Sequence, residues 1–167
     1  MINSRAKGKR GELDAVRFLQ EMTGLRWERT AQRWGKDTAD VWCPTLPSLK
    51  LHVEVKLWAS GLTRMVRIAQ REGLTLTEDG ILVADAALLP IIAERHTFPT
   101  WERKQPARHL GLRRVIDKAV DDCREGHVAL LLFRTDNSEW CAAWRECDDD
   151  AVMDIVGPLA KSRPHEK

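Results

Sequence analysis

Residues 51–57 read Leu-His-Val-Glu-Val-Lys-Leu. That strict alternation of apolar and polar side chains has the period of a half-buried β-strand and not of a helix. Ala39 to Cys43 forms a second short strand pattern just upstream, and Pro44 to Lys50, with two prolines, supplies the turn between them. Symmetric pairing about Pro47 sets Cys43 opposite Leu51, Val41 opposite Val53, and Asp40 opposite Glu54. Directly opposed residues share a face. Alternation then assigns Val41, Cys43, Leu51, Val53 and Val55 to an apolar face, and Thr38, Asp40, His52, Glu54 and Lys56 to a polar one.

The rest of the chain must supply what packs on this hairpin. Leu13, Val16, Leu19 and Met22 make the stripe of an amphipathic helix over 9–23, stopped by Gly24. Leu25 to Arg33 reads as a strand and Trp34 to Thr38 as a loop, so the chain opens as a helix followed by a three-stranded meander. Beyond it, Leu62, Met65, Val66 and Ala69 mark a second helix, Gly80 to Ala84 a strand, and Asp85 to His96 a helix despite Pro90. Thr97 to Gly111 reads as a long basic loop. Leu112 to Arg124 is a helix with Gly126 as its stop, Val128 to Arg134 and Trp140 to Arg145 are strands, and Asp148 to Leu159 is an acid-capped final helix. The expected class is α/β, a mixed β-sheet flanked by helices.

With 167 residues, 43% of them hydrophobic and 31% charged, the chain suits one globular domain with a core of its own, residues 1–167. No window reaches the roughly 18 to 20 apolar residues of a membrane span, so a cytoplasmic location and no membrane partner are expected. The cysteines, Cys43, Cys123, Cys141 and Cys147, show neither a C-x-x-C pair nor zinc spacing and read as buried thiols. The net charge of +2 conceals an uneven distribution: nine basic and four acidic side chains in residues 1–36, but five acids and no base in residues 146–154.

Two carboxylates facing each other across a hairpin cost several tenths of a kcal/mol to about 1 kcal/mol, and more if sheltered. A neighbouring cation, protonation of one acid, or a bound divalent cation would relieve them. Lys56 is two residues from Glu54 on the same face. Mg²⁺ takes one or two carboxylates and fills its remaining positions with water or phosphate oxygens, so Asp40 and Glu54 match its needs. An ammonium beside such a metal can orient the attacking water and offset charge on a phosphate. The competing interpretation is a wet polar face carrying weak ion pairs.

Asp40 followed by Glu54-Val55-Lys56 on the next strand resembles the D and E-x-K core of the PD-(D/E)XK nuclease superfamily. Asn3-Ser-Arg-Ala-Lys-Gly-Lys-Arg-Gly-Glu12 is similar to the opening of archaeal and phage Holliday junction resolvase-like members, and Arg114 to Gly126, Leu130 to Arg134 and Trp140 are similar to their later helix and strands. The resemblance implies a restriction-endonuclease-like core over 3–56 and 113–160, with residues 57–112 inserted after the E-x-K strand. It also implies a Mg²⁺- or Mn²⁺-dependent endonuclease acting in DNA recombination, with catalytic residues Glu12, Asp40, Glu54 and Lys56. The metal would rest on Asp40, Glu54 and Glu12, and a homodimer would face branched DNA. Ala39 stands where the superfamily's name has proline. Independently of the resemblance, Glu12 is in register with Ala15, Val16 and Leu19, which aims its carboxylate inward, where it needs a cation or a metal.

DNA-contact candidates are Arg5, Lys7, Lys9 and Arg10, interleaved with Gly8 and Gly11, which otherwise form a frayed basic tail, together with Arg29, Gln32, Arg33 and Thr38. His52 and the tryptophans Trp34, Trp42, Trp58 and Trp101 are weaker candidates, more often core than base-stacking. The run Asp148 to Asp150 reads as a helix N-terminal charge cluster. The rival functions are a nuclease for duplex, flap or single-stranded DNA, with specificity set by residues 57–112, and a non-catalytic nuclease-derived DNA-binding subunit.

Overall fold

The computed structural model describes residues 4–30, 38–58, 74–77, 79–95, 110–135 and 138–161. The first helix, α1 (Ser4–Thr23), begins five residues before the helix expected over 9–23, so the basic segment is helical and not a frayed tail. Ala15 and Leu19 are its buried face. It ends where the Thr23 hydroxyl donates to the Leu19 carbonyl at 2.7 Å and accepts from the Trp27 indole N–H at 3.0 Å. Gly24 then takes φ 69°, the left-handed turn that glycine adopts without strain.

Seven described strands form one sheet: β1 (Glu28–Arg29), β2 (Val41–Trp42), β3 (Leu51–Trp58), β4 (Leu74–Leu76), β5 (Ile81–Asp85), β6 (Val128–Thr135) and β7 (Cys141–Arg145). Their spatial order is β1-β2-β3-β6-β7-β5-β4. β3 and β6 run parallel, with Leu51 beside Val128 through Trp58 beside Thr135, and the other neighbours are antiparallel. The sheet is therefore mixed, as the interleaved pattern predicts. Val41 pairs with Val53, which is the register that symmetry about Pro47 demands.

Three more helices are described: α2 (Leu89–Arg95), entered through a 3₁₀ turn at Ala86–Leu88; α3 (Leu110–Asp121); and α4 (Asp149–Lys161). Pro90 lies in the first turn of α2, where its missing N–H costs nothing, which is why the helical stretch expected from Asp85 forms over Ala86 to Arg95, with Asp85 itself ending β5. Among the described residues no helix is long and apolar enough to cross a membrane.

Alternation along the central strands splits the apolar core in two. Val53, Val55, Leu130, Leu132, Ala142 and Trp144 point to one face and join the buried residues of α1, α2 and α4. Leu131, Phe133, Cys141 and Ala143 point to the other, where Leu112 and Ile116 of α3 cover them. His52, Glu54 and Lys56 belong to this second face by the same alternation.

Several expectations need correction. Of the strand expected over Leu25 to Arg33, the described residues to 30 form strand at Glu28–Arg29, residues 31–33 lie outside the described residues, and β4 is an unexpected strand. Residues 74–95 of the expected insertion add β4 and β5 to the far edge of the sheet, and α2 packs on α4, so this part belongs to the core. Cys43 and Cys141 are buried thiols, but Cys123 is half-buried and Cys147 exposed. The Asp148 to Asp150 run does stand at a helix N-terminus, with Asp149 and Asp150 in the first turn of α4; Asp149 accepts the Trp144 indole N–H at 2.8 Å and Asp148 holds Arg145. The helix expected around Leu62 to Ala69, and the loop of Thr97 to Gly111 up to residue 109, lie outside the described residues.

Candidate metal centre

β2 ends its ladder at Val41, and the chain bends at Asp40. Here the backbone N–H of Asp40 donates to the Val53 carbonyl at 2.9 Å, and the backbone N–H of Val55 donates to Asp40 Oδ2 at 2.8 Å. A side-chain oxygen thus takes an N–H of the neighbouring strand, which fixes the carboxylate against β3. Glu54 projects from β3 beside it, only 9% exposed. Its Oε1 accepts from Lys56 Nζ at 2.7 Å. The wet polar face is therefore not what forms: His52 is 3% exposed, and both it and Glu54 are enclosed.

The electrostatics follow from that enclosure. Burial first and the Glu54 charge second push the Asp40 carboxyl up to about 7, against the opposing pull of the Val55 N–H and Lys56. Two of the reliefs anticipated for the opposed acids are thus built in: Lys56 neutralises Glu54, and Asp40 holds its proton to unusually high pH. Burial also lowers the His52 imidazole below its ordinary range, so His52 is neutral at pH 7.

Glu12 faces inward as its register predicts, and the cation it needs is Arg29 of β1, whose guanidinium Nε donates to Glu12 Oε2. Glu12 still acts on Asp40, raising its pKa through space. Gly11 explains the approach of this helix: a Cβ there would lie 2.7 Å from Leu57 Cγ of β3. Nearby, Arg134 of β6 ties α1 down by donating to Asp14 Oδ2 at 2.6 Å, with its guanidinium 4.7 Å from the Trp140 ring centroid.

The structure therefore brings Asp40, Glu54 and Lys56 together, with Glu12 beside them but engaged by Arg29. That engagement moves Arg29 from the DNA-contact group to the support of the site. Lys9 and Arg10 are exposed on the first turns of α1, Lys7 is partly so, and Arg5 lies in the first turn. Thr38 is half-buried close to the bend at Asp40. Gln32, Arg33, Trp34 and Trp101 lie outside the described residues. Among the described residues no group of three or more His, Cys, Asp or Glu side chains converges as a ligand set. A Mg²⁺-type ion fits the smaller set here, two carboxylates with the remaining positions left to water and phosphate.

Sequence reasoning missed what α3 brings. Lys118, whose ammonium donates to Asp122, feels the charges of Glu54 and Asp40. A groove of about 720 Å³ runs from Lys56 past Arg114 and Lys118. The only signal in the sequence is that the polar side of this helix sets Arg113, Arg114 and Lys118 among Asp117 and Asp121, which by itself marks an ordinary solvated face. Comparison with family models, curated proteins and solved structures yields no match for the chain.

Proposed function

We propose that the chain is a metal-dependent DNA endonuclease of the PD-(D/E)XK type, hydrolysing phosphodiester bonds in branched DNA of the Holliday junction kind. The observation that carries this reading is the Asp40–Glu54 pair: two sheltered carboxylates in register on one face, with Lys56 on the second. A purely structural site has little reason to concentrate like charge where water is scarce.

In this reading Asp40 and Glu54 hold Mg²⁺ or Mn²⁺, which when bound supplies Lewis-acid stabilisation of the phosphate and a more acidic water. The Val55 N–H keeps the Asp40 oxygen aimed while the carboxyl gives up its proton. Lys56, half-exposed at the mouth of the groove, orients the attacking water and offsets charge on the phosphate. Glu12 and Arg29 form a charge-paired support that fixes α1 against β1. Lys7, Lys9 and Arg10 supply phosphate contacts that position the duplex arms without reading sequence. Two symmetric cuts in a junction call for an isologous homodimer.

The test is cleavage of a four-way junction, a flap, a linear duplex and a single strand, with Mg²⁺, with EDTA, and with Glu54→Ala. Paired symmetric nicks in the junction that vanish with EDTA and with Glu54→Ala are expected. Metal-dependent cutting of another substrate only would replace the junction reading, and binding without cutting would establish the non-catalytic rival. Mg²⁺-dependent cutting retained by Glu54→Ala would remove the site assignment.

A further inference from the structure

The carboxylate pair and α3 share one face of the sheet, whereas α1 packs its buried side against the other. α3 is therefore the helix that borders the reacting side. An open groove runs from Lys56 along it, lined by the cations Arg113, Arg114 and Lys118 and the acids Asp79, Asp117 and Asp121.

These cations are not equivalent. Arg113 is fully engaged: its Nε donates to the two Asp117 carboxylate oxygens at 3.0 and 2.9 Å, and its Nη1 donates to the Asp79 carbonyl at 3.0 Å, which staples α3 to the turn before β5. Lys56 is held by Glu54 and Lys118 by Asp122. Arg114 is exposed, and among the described residues it makes neither an ion pair nor a hydrogen bond. It stands one turn before Lys118, about 6 Å along the helix axis. Like charges at that spacing weaken a helix, and an anion set between them relieves the repulsion. Lys118 in turn feels the charges of Glu54 and Asp40, so the row from Arg114 to Lys118 leads back to the carboxylates.

The nuclease reading supplies the anion. Each DNA strand carries a phosphate per roughly 3.4 Å of helix axis, so a strand whose scissile phosphate lies at Lys56 presents further phosphates to the groove beside it. A guanidinium offers a planar fork of donors that matches two phosphate oxygens, and an exposed one exchanges water for phosphate at little desolvation cost.

We infer that Arg114, with Lys118 beside it, binds a backbone phosphate of the strand being cut, adjacent to the scissile one or one further along. The inference rests on the nuclease reading and deepens it: the cut strand runs along α3, which leaves the α1 cations to the flanking arms. A contact to the backbone is indifferent to base sequence.

The test places one neutral methylphosphonate at a time along one strand of a four-way junction, through the branch point, and reads affinity by fluorescence anisotropy in EDTA. At one linkage the neutral group should weaken binding by the wild type about five- to tenfold and leave Arg114→Gln unaffected, the loss expected of one charge-assisted contact. On unmodified DNA Arg114→Gln should show that same loss, with its salt slope lower by about 0.9. Its melting temperature and its Mg²⁺ affinity by calorimetry should match the wild type, since the exposed side chain touches neither core nor carboxylates. Arg113→Gln should melt lower and keep the wild-type phosphate map. If every linkage costs the wild type and Arg114→Gln equally, the inference is overturned, and Mg²⁺-dependent cutting of the same junction still stands for the nuclease reading. A linkage coupled to Arg114 without cutting under Mg²⁺ removes the nuclease reading and keeps the phosphate contact, whereas a wild type that binds no DNA overturns both.

Discussion

Asp40 is held by one backbone N–H and opposed by its surroundings, and the balance sets how the protein responds to pH. Its carboxyl titrates near 3.8 in an unfolded chain and near 7 in the fold. The native state therefore keeps the proton over a range where the unfolded chain has lost it. The stability this contributes is complete below about pH 4 and is lost as pH rises through 7. The loss is on the order of a few kcal/mol, since each pKa unit is worth about 1.4 kcal/mol. Thermal melts of the metal-free protein should fall between pH 5 and 8. Asp40→Asn, which keeps an oxygen for the Val55 N–H, should flatten that profile and raise the melting temperature at pH 8 while abolishing metal-dependent cutting. Divalent-ion affinity, read by calorimetry, should rise over the same pH range in the wild type and not in the variant. At this scale the opposition of Asp40 and Glu54 was legible, because a symmetric turn and strict alternation are local. The enclosure of His52 was not, because its cover comes from residues far along the chain.

The helix α1 carries two glycines three residues apart that make opposite predictions. A Cβ at Gly8 meets nothing within 4 Å, so Gly8→Ala should stabilise by about 0.5–1 kcal/mol through helix propensity alone. A Cβ at Gly11 runs into Leu57, so Gly11→Ala should instead cost roughly 1–3 kcal/mol by forcing α1 away from β3. Urea denaturation of the pair separates propensity from packing. Arg134 anchors the same helix through Asp14 and Trp140, and Arg134→Ala should lower stability by roughly 1–2 kcal/mol. Element types were readable wherever a stripe or an alternation ran long, as in α1, β3 and β6. The three-residue β4 has too few positions to show a period, and among the described residues of the expected strand Leu25 to Arg33 pairing with β2 is seen at Glu28 and Arg29, because β2 is equally short.

Across the whole molecule, the two faces of the sheet are unequally dressed. Among the described residues, α1, α2 and α4 share one buried cluster, whereas α3 alone lies over the other, leaving its β1–β3 half to the carboxylates and a cleft lined by Trp42 and His52. Exposed cations on α1 and α3 flank that half. If about four of them meet phosphates, binding of junction DNA should weaken about 100-fold between 50 and 200 mM salt, from a slope near −0.9 per contact. Fluorescence anisotropy in EDTA would show it, and an affinity independent of salt would argue against a DNA surface here. The placing of residues 74–95 in the sheet was hidden from the sequence, since β5 pairs with a strand near the other end of the chain.

The long parallel contact of β3 with β6 also dictates an order of events. A pairing between strands so distant along the chain forms slowly, because loop closure precedes any reward. On a ribosome the stretch bearing Asp40, Glu54 and Lys56 emerges well before α3 and β6 exist to shelter it. The nascent half-chain thus carries its acids in open water, where they repel weakly. Whatever this face does chemically switches on only when synthesis has nearly finished and the second half docks. A polypeptide truncated before residue 110 would hold every reactive group without α3 and β6, which lie over and beside them in the finished fold.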